Sequence, residues 1–208
     1  FPTGHPVGFP DIVLQISTSI NNAGATGGNG SYTAATWYDG TNWNTGYAAV
    51  ILNNNGAFLT GALQDDDCET KAQLLYALLG TIRPDMWQYV AEASMSRAGN
   101  ISSWTTFTDA AAEIWNEAVA QGRVNAQNEV TQAQSFYSQA DLQYTTGDYP
   151  QVVEPATAAR QHLLSAYACC QMSAANEFRG VWSSSAYYPN GMTWDAAVAK
   201  LKDNGFNA

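Results

Sequence analysis

The spacing of apolar residues changes about a third of the way along this chain. Beyond residue 70 they recur at helical intervals, whereas before it they come in short runs separated by Gly, Asn and Thr. Residues 70–82 set Ala72, Leu75, Leu79 and Ile82 on one side and Leu74 and Leu78 on another. That pattern predicts a helix apolar nearly all round and buried at the centre of the fold. Pro84 ends it, and Asp85 is predicted to cap a second helix carrying Met86, Trp87, Val90 and Ala93, stopped by Gly99. One continuous amphipathic pattern through Phe107, Ala111, Ile114, Ala118, Val130, Ala133 and Phe136 predicts a long helix from about 107 to 143. Thr145–Pro150 breaks it. A further helix is expected over about 151–178 with Gly180 as its cap, and a last short one between Thr193 and Gly205. The segments on either side of Gly147 read as an antiparallel helical hairpin.

The first third is different. Residues 1–10 hold three of the seven prolines and read as an extended arm. Asp11 is placed to cap a short apolar helix through Ile12, Val13, Leu14, Ile16 and Ile20. Asn21–Ser31 has loop composition, and Trp37–Gly40 and Asn53–Gly56 carry turn chemistry. The apolar run Tyr47–Leu52 between them is either a buried strand or a short core helix, since six residues do not settle the period. The expected fold is therefore a mainly α, single-domain helical bundle over residues 1–208. It comprises an arm at 1–10, a loop-rich aromatic segment at 11–64 with room for a short β-hairpin, and a helical core at 65–208.

Charge narrows the range of partners. Eight Lys and Arg stand against 18 Asp and Glu, a net charge of -10. Phosphate binding rests on clustered cations, and the eight here are scattered, so nucleic acid is excluded as a partner. No apolar stretch is long enough to span a bilayer. An aromatic-rich, weakly charged chain suits a neutral or cationic glycan or a cell-surface ligand. Scarce Lys, plentiful Asn, Ser and Thr, and the sequons at Asn29 and Asn100 fit a secreted, extracellular glycoprotein. The chain begins at Phe1, which reads as a mature terminus left by processing.

Four acids fall within five residues, Asp65-Asp66-Asp67-Cys68-Glu69. Capping of the following helix accounts for one or two of them. The excess points to acid/base work by Asp67 and Glu69, or to a divalent cation such as calcium held by Asp65 and Asp66. No cofactor is required. A second set, Asp109, Glu113 and Glu117, stacks at helical i, i+4 spacing, with Glu113 and Glu117 as its candidate catalytic acids. Aromatic residues supply candidate sugar platforms: Trp37, Tyr38, Trp43 and Tyr47 lie within eleven residues among Asp39, Asn42 and Asn44, and Trp104 lies near the second acid set. Another aromatic cluster closes the chain at Trp182, Tyr187, Tyr188 and Trp194. Of the three cysteines, Cys68 is expected to bridge to Cys169 or Cys170, a loop closure worth about 4 kcal/mol. His162, in mid-helix, reads as a structural histidine.

Two functions fit these features. One is a secreted hydrolase acting on a polysaccharide with paired carboxylates as general acid and base. The other is a non-catalytic secreted cell-surface, effector or carbohydrate-binding protein. The acids together with the aromatics tilt the expectation towards the hydrolase.

Overall fold

The computed structural model describes residues 6–14, 30–63 and 67–171. The fold is mainly α: the described residues form five α-helices and a small three-stranded antiparallel sheet. The strands β1 (Tyr32–Tyr38), β2 (Asn44–Asn53) and β3 (Gly56–Leu59) pair in the order β1-β2-β3. The helices follow as α1 (Cys68–Ile82), α2 (Trp87–Gly99), α3 (Phe107–Ala120), α4 (Val124–Thr145) and α5 (Val153–Gln171).

Tyr47–Leu52 is a strand, and burial along β2 shows why. Ala48, Val50 and Leu52 are buried while Tyr47, Ala49 and Ile51 are not, a period of two. Val50 and Leu52 meet Phe9 of the arm and Leu74, Ala77 and Leu78 of α1. The predicted turn at Asn53–Gly56 falls at 54–55 between β2 and β3, whereas the one at Trp37–Gly40 is shifted: Trp37 and Tyr38 belong to β1, and the turn to β2 spans 39–43. The β1–β2 register shifts three times, so β1 is a bulged edge strand rather than a flat one.

Asp11 does not start a helix. Val13 packs on the sheet core while Ile12 and Leu14 are exposed, the alternation of extended chain, and the Leu14 N–H donates to Asp67 Oδ2 at 2.8 Å. Ile16 and Ile20 lie outside the described residues. Helix α1 is not buried all round either. Leu74, Ala77 and Leu78 face the core, but Leu75 and Leu79 are 46% and 42% exposed. Asp85 is no cap: it lies in a 3-10 turn, Pro84–Met86, where its carboxylate takes two bonds from Arg83 at 2.9 and 2.7 Å.

The long helix expected from 107 to 143 is two helices. Gly122 has a φ of +65°, a left-handed conformation that side chains disfavour. Around it the Arg123 N–H reaches Ala118 O at 2.7 Å and the Gly122 N–H reaches Val119 O at 3.0 Å. Those two bonds satisfy the last carbonyls of α3 and stop it. The apolar positions stay in phase across the break because α3 and α4 fold against one core, together with α5. That core contains Phe107, Ile114, Val130 and Leu163 with alanines at most other buried positions, so the helix axes approach closely. The rings of Phe107 and Tyr137 stack there at 4.0 Å. Gly147 ends α4 through the same pair of bonds, and α5 returns along α4 as the predicted hairpin. The Gly180 cap, the helix near 193–205 and the aromatic cluster at 182–194 lie outside the described residues.

Candidate functional site

The acidic quintet divides into separate roles. Asp65 and Asp66 lie outside the described residues. Asp67 occupies the N-cap position of α1 but spends its side chain elsewhere: Oδ2 accepts from the Leu14 amide and the Thr70 hydroxyl, and no cap bond to a helix N–H forms. Its carboxylate thus fastens the arm to α1. Cys68 is exposed at the first position of the helix.

Glu69 points inward to two arginines. Arg97 of α2 grips it with Nη1 at 2.5 Å from Oε2 and Nη2 at 3.3 Å from Oε1. Arg160 of α5 places Nε 2.8 Å from the same Oε2. Arg160 then donates through Nη1 to the carbonyls of Arg97 and Asn100 at 2.7 and 2.6 Å, closing the C-terminal end of α2. A guanidinium at a helix C-terminus is favoured by the dipole. The three side chains, 14–27% exposed, join α1, α2 and α5 in one node. Sequence reasoning missed Arg97 and Arg160, which are 28 and 91 residues away from Glu69 and carry no local pattern.

The second acid set faces solvent. Asp109 completes the N-cap of α3: the Thr106 hydroxyl accepts from the Asp109 N–H at 3.2 Å and donates to Asp109 Oδ2 at 2.7 Å. Glu113 and Glu117 are exposed farther along α3, one turn apart, about 6 Å along the axis. Glu117 accepts from Gln121. Trp104 is not on that surface, since it packs on the helical core with its ring edge-on to Tyr167 at 5.6 Å. Among the described residues no group of three or more acidic, His or Cys side chains converges where a metal ion could sit.

The expected bridge from Cys68 to Cys169 or Cys170 does not form, and none of the three is in a disulfide. Cys170 is buried in the core of α3, α4 and α5, with its Sγ 3.8 Å from Ile114 O, whereas Cys68 lies at the exposed start of α1. Burial, helped by the Glu117 charge, raises the Cys170 thiol above its ordinary pKa. His162 is structural as expected: Nδ1 lies 2.7 Å from Glu129 Oε2 and the ring stacks on Phe136. Asn100 is exposed in the turn after α2, and Asn29 lies outside the described residues.

The aromatic candidates of the first third do assemble, on the sheet. Trp37 is half-buried and reaches across β2, its Nε1 donating to Thr60 Oγ1 at 2.7 Å. Thr60 is fully buried and donates to Ala48 O at 2.6 Å. Trp37 is therefore an anchor, and its neighbours are the open surface. Tyr38 is 56% and Trp43 73% exposed. The turn that carries Trp43 is built on Asp39. One carboxylate oxygen accepts from the Thr41 amide at 2.9 Å, the Thr41 hydroxyl at 2.7 Å and the Trp43 amide at 2.9 Å. The Asp39 N–H bonds Trp43 O at 3.0 Å, and Asn42 N–H bonds Asp39 O at 2.9 Å. These donors, the Thr41 hydroxyl first, hold the Asp39 carboxyl below the ordinary carboxylate range.

Beside the turn, Asn44 bonds the Gly46 N–H at 2.8 Å and lies 3.4 Å from the Tyr38 hydroxyl. Farther along the outward face of β2 come Tyr47 and Ile51, and Phe58 of β3 pairs directly opposite Ile51. Phe58 is 51% exposed and was not singled out in the sequence, though its register position beside an outward β2 residue marks it. No helix among the described residues is long and apolar enough to cross a membrane. No protein-family model matches the chain, and neither curated proteins nor solved structures yield a match.

Proposed function

We propose that this chain is a secreted, non-catalytic glycan-binding protein whose contact surface is the open aromatic face of its three-stranded sheet. One observation carries the reading: an indole left 73% exposed on a turn that five hydrogen bonds hold in a single shape. Leaving a large aromatic in water forgoes about 1.5–3 kcal/mol of burial, so a rigid turn that presents one suits a surface made for a ligand. Pyranose rings bring apolar CH faces that lie on an indole or phenol, and hydroxyls that pair with amides such as those of Asn42 and Asn44. A platform already in its bound shape also loses less entropy when a ligand docks.

The hydrolase reading draws less support. Glycoside hydrolysis needs two carboxylates facing one bond. Glu113 and Glu117 stand on a solvent-facing helix of the helical core, Glu69 is occupied by two guanidiniums, and Asp67 fastens the arm. None belongs to the sheet that carries the open aromatics.

The test is retention of the purified protein on insoluble cellulose, chitin and xylan, with a reducing-end assay on the same suspensions. Retention on at least one polymer, lost in Trp43→Ala and unaccompanied by new reducing ends, is expected. Sugar release that disappears in Glu113→Gln or Glu117→Gln would restore the hydrolase, and absence of retention on any polymer would remove the glycan reading.

A further inference from the structure

The sheet is almost devoid of charge. Between Gly30 and Leu63 the single acidic or basic side chain is Asp39, and its carboxylate is turned into its own loop. The same stretch carries Asn42, Asn44 and Asn53–Asn55, side chains that pair with hydroxyls without selecting for charge. A surface that recognised uronic acids or sulfated sugars would need Lys or Arg beside its aromatics, and among the described residues the stretch from Gly30 to Leu63 supplies neither.

The apolar contacts are also spread out rather than gathered in a pocket. Trp43 marks the turn at one end of β2. Ile51 and Phe58 mark the other end, where they line a shallow groove of about 270 Å³ with Asn53 and Asn55. Tyr47, 42% exposed, lies between them. At roughly 3.3 Å per residue, the eight steps from Trp43 to Ile51 reach at most about 26 Å, less the bend at Gly46, whose φ is +76°. That is several sugar rings long.

Resting on the glycan-binding reading above, we propose that the ligand is an extended internal segment of a neutral polysaccharide, laid along β2 and held at two separated apolar stations. The Trp43 station binds on its own, and the Ile51–Phe58 station engages only when the ligand is long enough to reach it. Affinity therefore depends on chain length and not on salt.

Calorimetric titration with cello-, xylo- and chito-oligosaccharides, from disaccharide through octasaccharide, tests this alongside oligogalacturonates as a charged series. Circular dichroism checks that each variant is folded. For at least one neutral series, affinity should rise on the order of tenfold or more between the shortest and longest members. Phe58→Ala should lower affinity for the octasaccharide and leave the trisaccharide unchanged, while Trp43→Ala lowers both. A disaccharide that binds as tightly as the octasaccharide, or an octasaccharide indifferent to Phe58→Ala, would overturn the extended track while leaving glycan binding intact. Tighter binding of oligogalacturonate would overturn neutrality. If no saccharide binds, and the wild type instead forms dimers that Trp43→Ala dissolves, the glycan reading itself is wrong and the face is a contact between copies.

Discussion

Replacing Glu69 with alanine should destabilise the protein, and the size of the loss distinguishes a structural node from a catalytic acid. Removing one partner of a buried ion pair costs about 3–5 kcal/mol, whereas exposed pairs contribute about 0–1 kcal/mol. Glu69, Arg97 and Arg160 are 20%, 27% and 14% exposed, which places the node between those limits. Arg160 keeps its bonds to the Arg97 and Asn100 carbonyls after the change, which softens the loss. The expected cost is about 2 kcal/mol, or a drop in Tm of roughly 4–8 °C for a chain of this size. Thermal unfolding followed by far-ultraviolet circular dichroism reads it directly. A double-mutant cycle with Arg97→Met should show that the two effects are not additive. A catalytic carboxylate behaves differently, because removing it commonly leaves stability unchanged or raises it. A Glu69→Ala midpoint within about 1 °C of wild type would refute the node and reopen Glu69 as a chemical group.

Thiol titration of unfolded protein should find three free thiols. In the folded state Cys68 should react first and Cys170 last, being buried with its thiol pKa raised, and a count of one would mean that the Cys68 bridge forms after all. The Asp39 carboxyl is held low in the folded chain, so its ordering of the turn is complete above the ordinary aspartate range near pH 3.9 and fades as pH falls through its lowered value. Glycan affinity should accordingly stay flat from neutral pH to about 5 and weaken only below about 4; a loss centred near pH 6 would implicate another group. Gly99→Ala should destabilise by about 1–3 kcal/mol in urea unfolding, although alanine normally strengthens a helix, because a Cβ there would lie 2.0 Å from the Phe107 backbone nitrogen. A stabilised variant would contradict the close approach of α2 to the start of α3.

Local order was legible in the sequence and distant pairing was not. The helices of 68–171 announce themselves because their apolar stripes repeat over several turns, and the two β-turns because Asn, Asp and Gly concentrate there. The break at Gly122 was hidden, since α3 and α4 share one core and their apolar positions stay in phase across it. Strand β1 was hidden as well, because its Ala and Thr residues and three register shifts leave no clean alternation. The acidic quintet shows the limit most plainly. Four adjacent acids resemble one site, yet Asp67 pairs with Leu14 and Glu69 with Arg97 and Arg160, partners supplied by the tertiary fold. The aromatic cluster was visible as a cluster. Its division into an anchored Trp37 and an open Trp43 depended on Thr60, which only the sheet brings near.

The central claim is that the open aromatics of the sheet, and not the acids of the helices, are the working surface. Parallel calorimetric titration of wild type, Trp43→Ala and the Glu113→Gln/Glu117→Gln double variant with one soluble neutral polysaccharide tests it most directly. Full binding by wild type and by the double acid variant is expected, with at least a tenfold loss in Trp43→Ala. Binding that survives Trp43→Ala but vanishes with the two glutamates would contradict it.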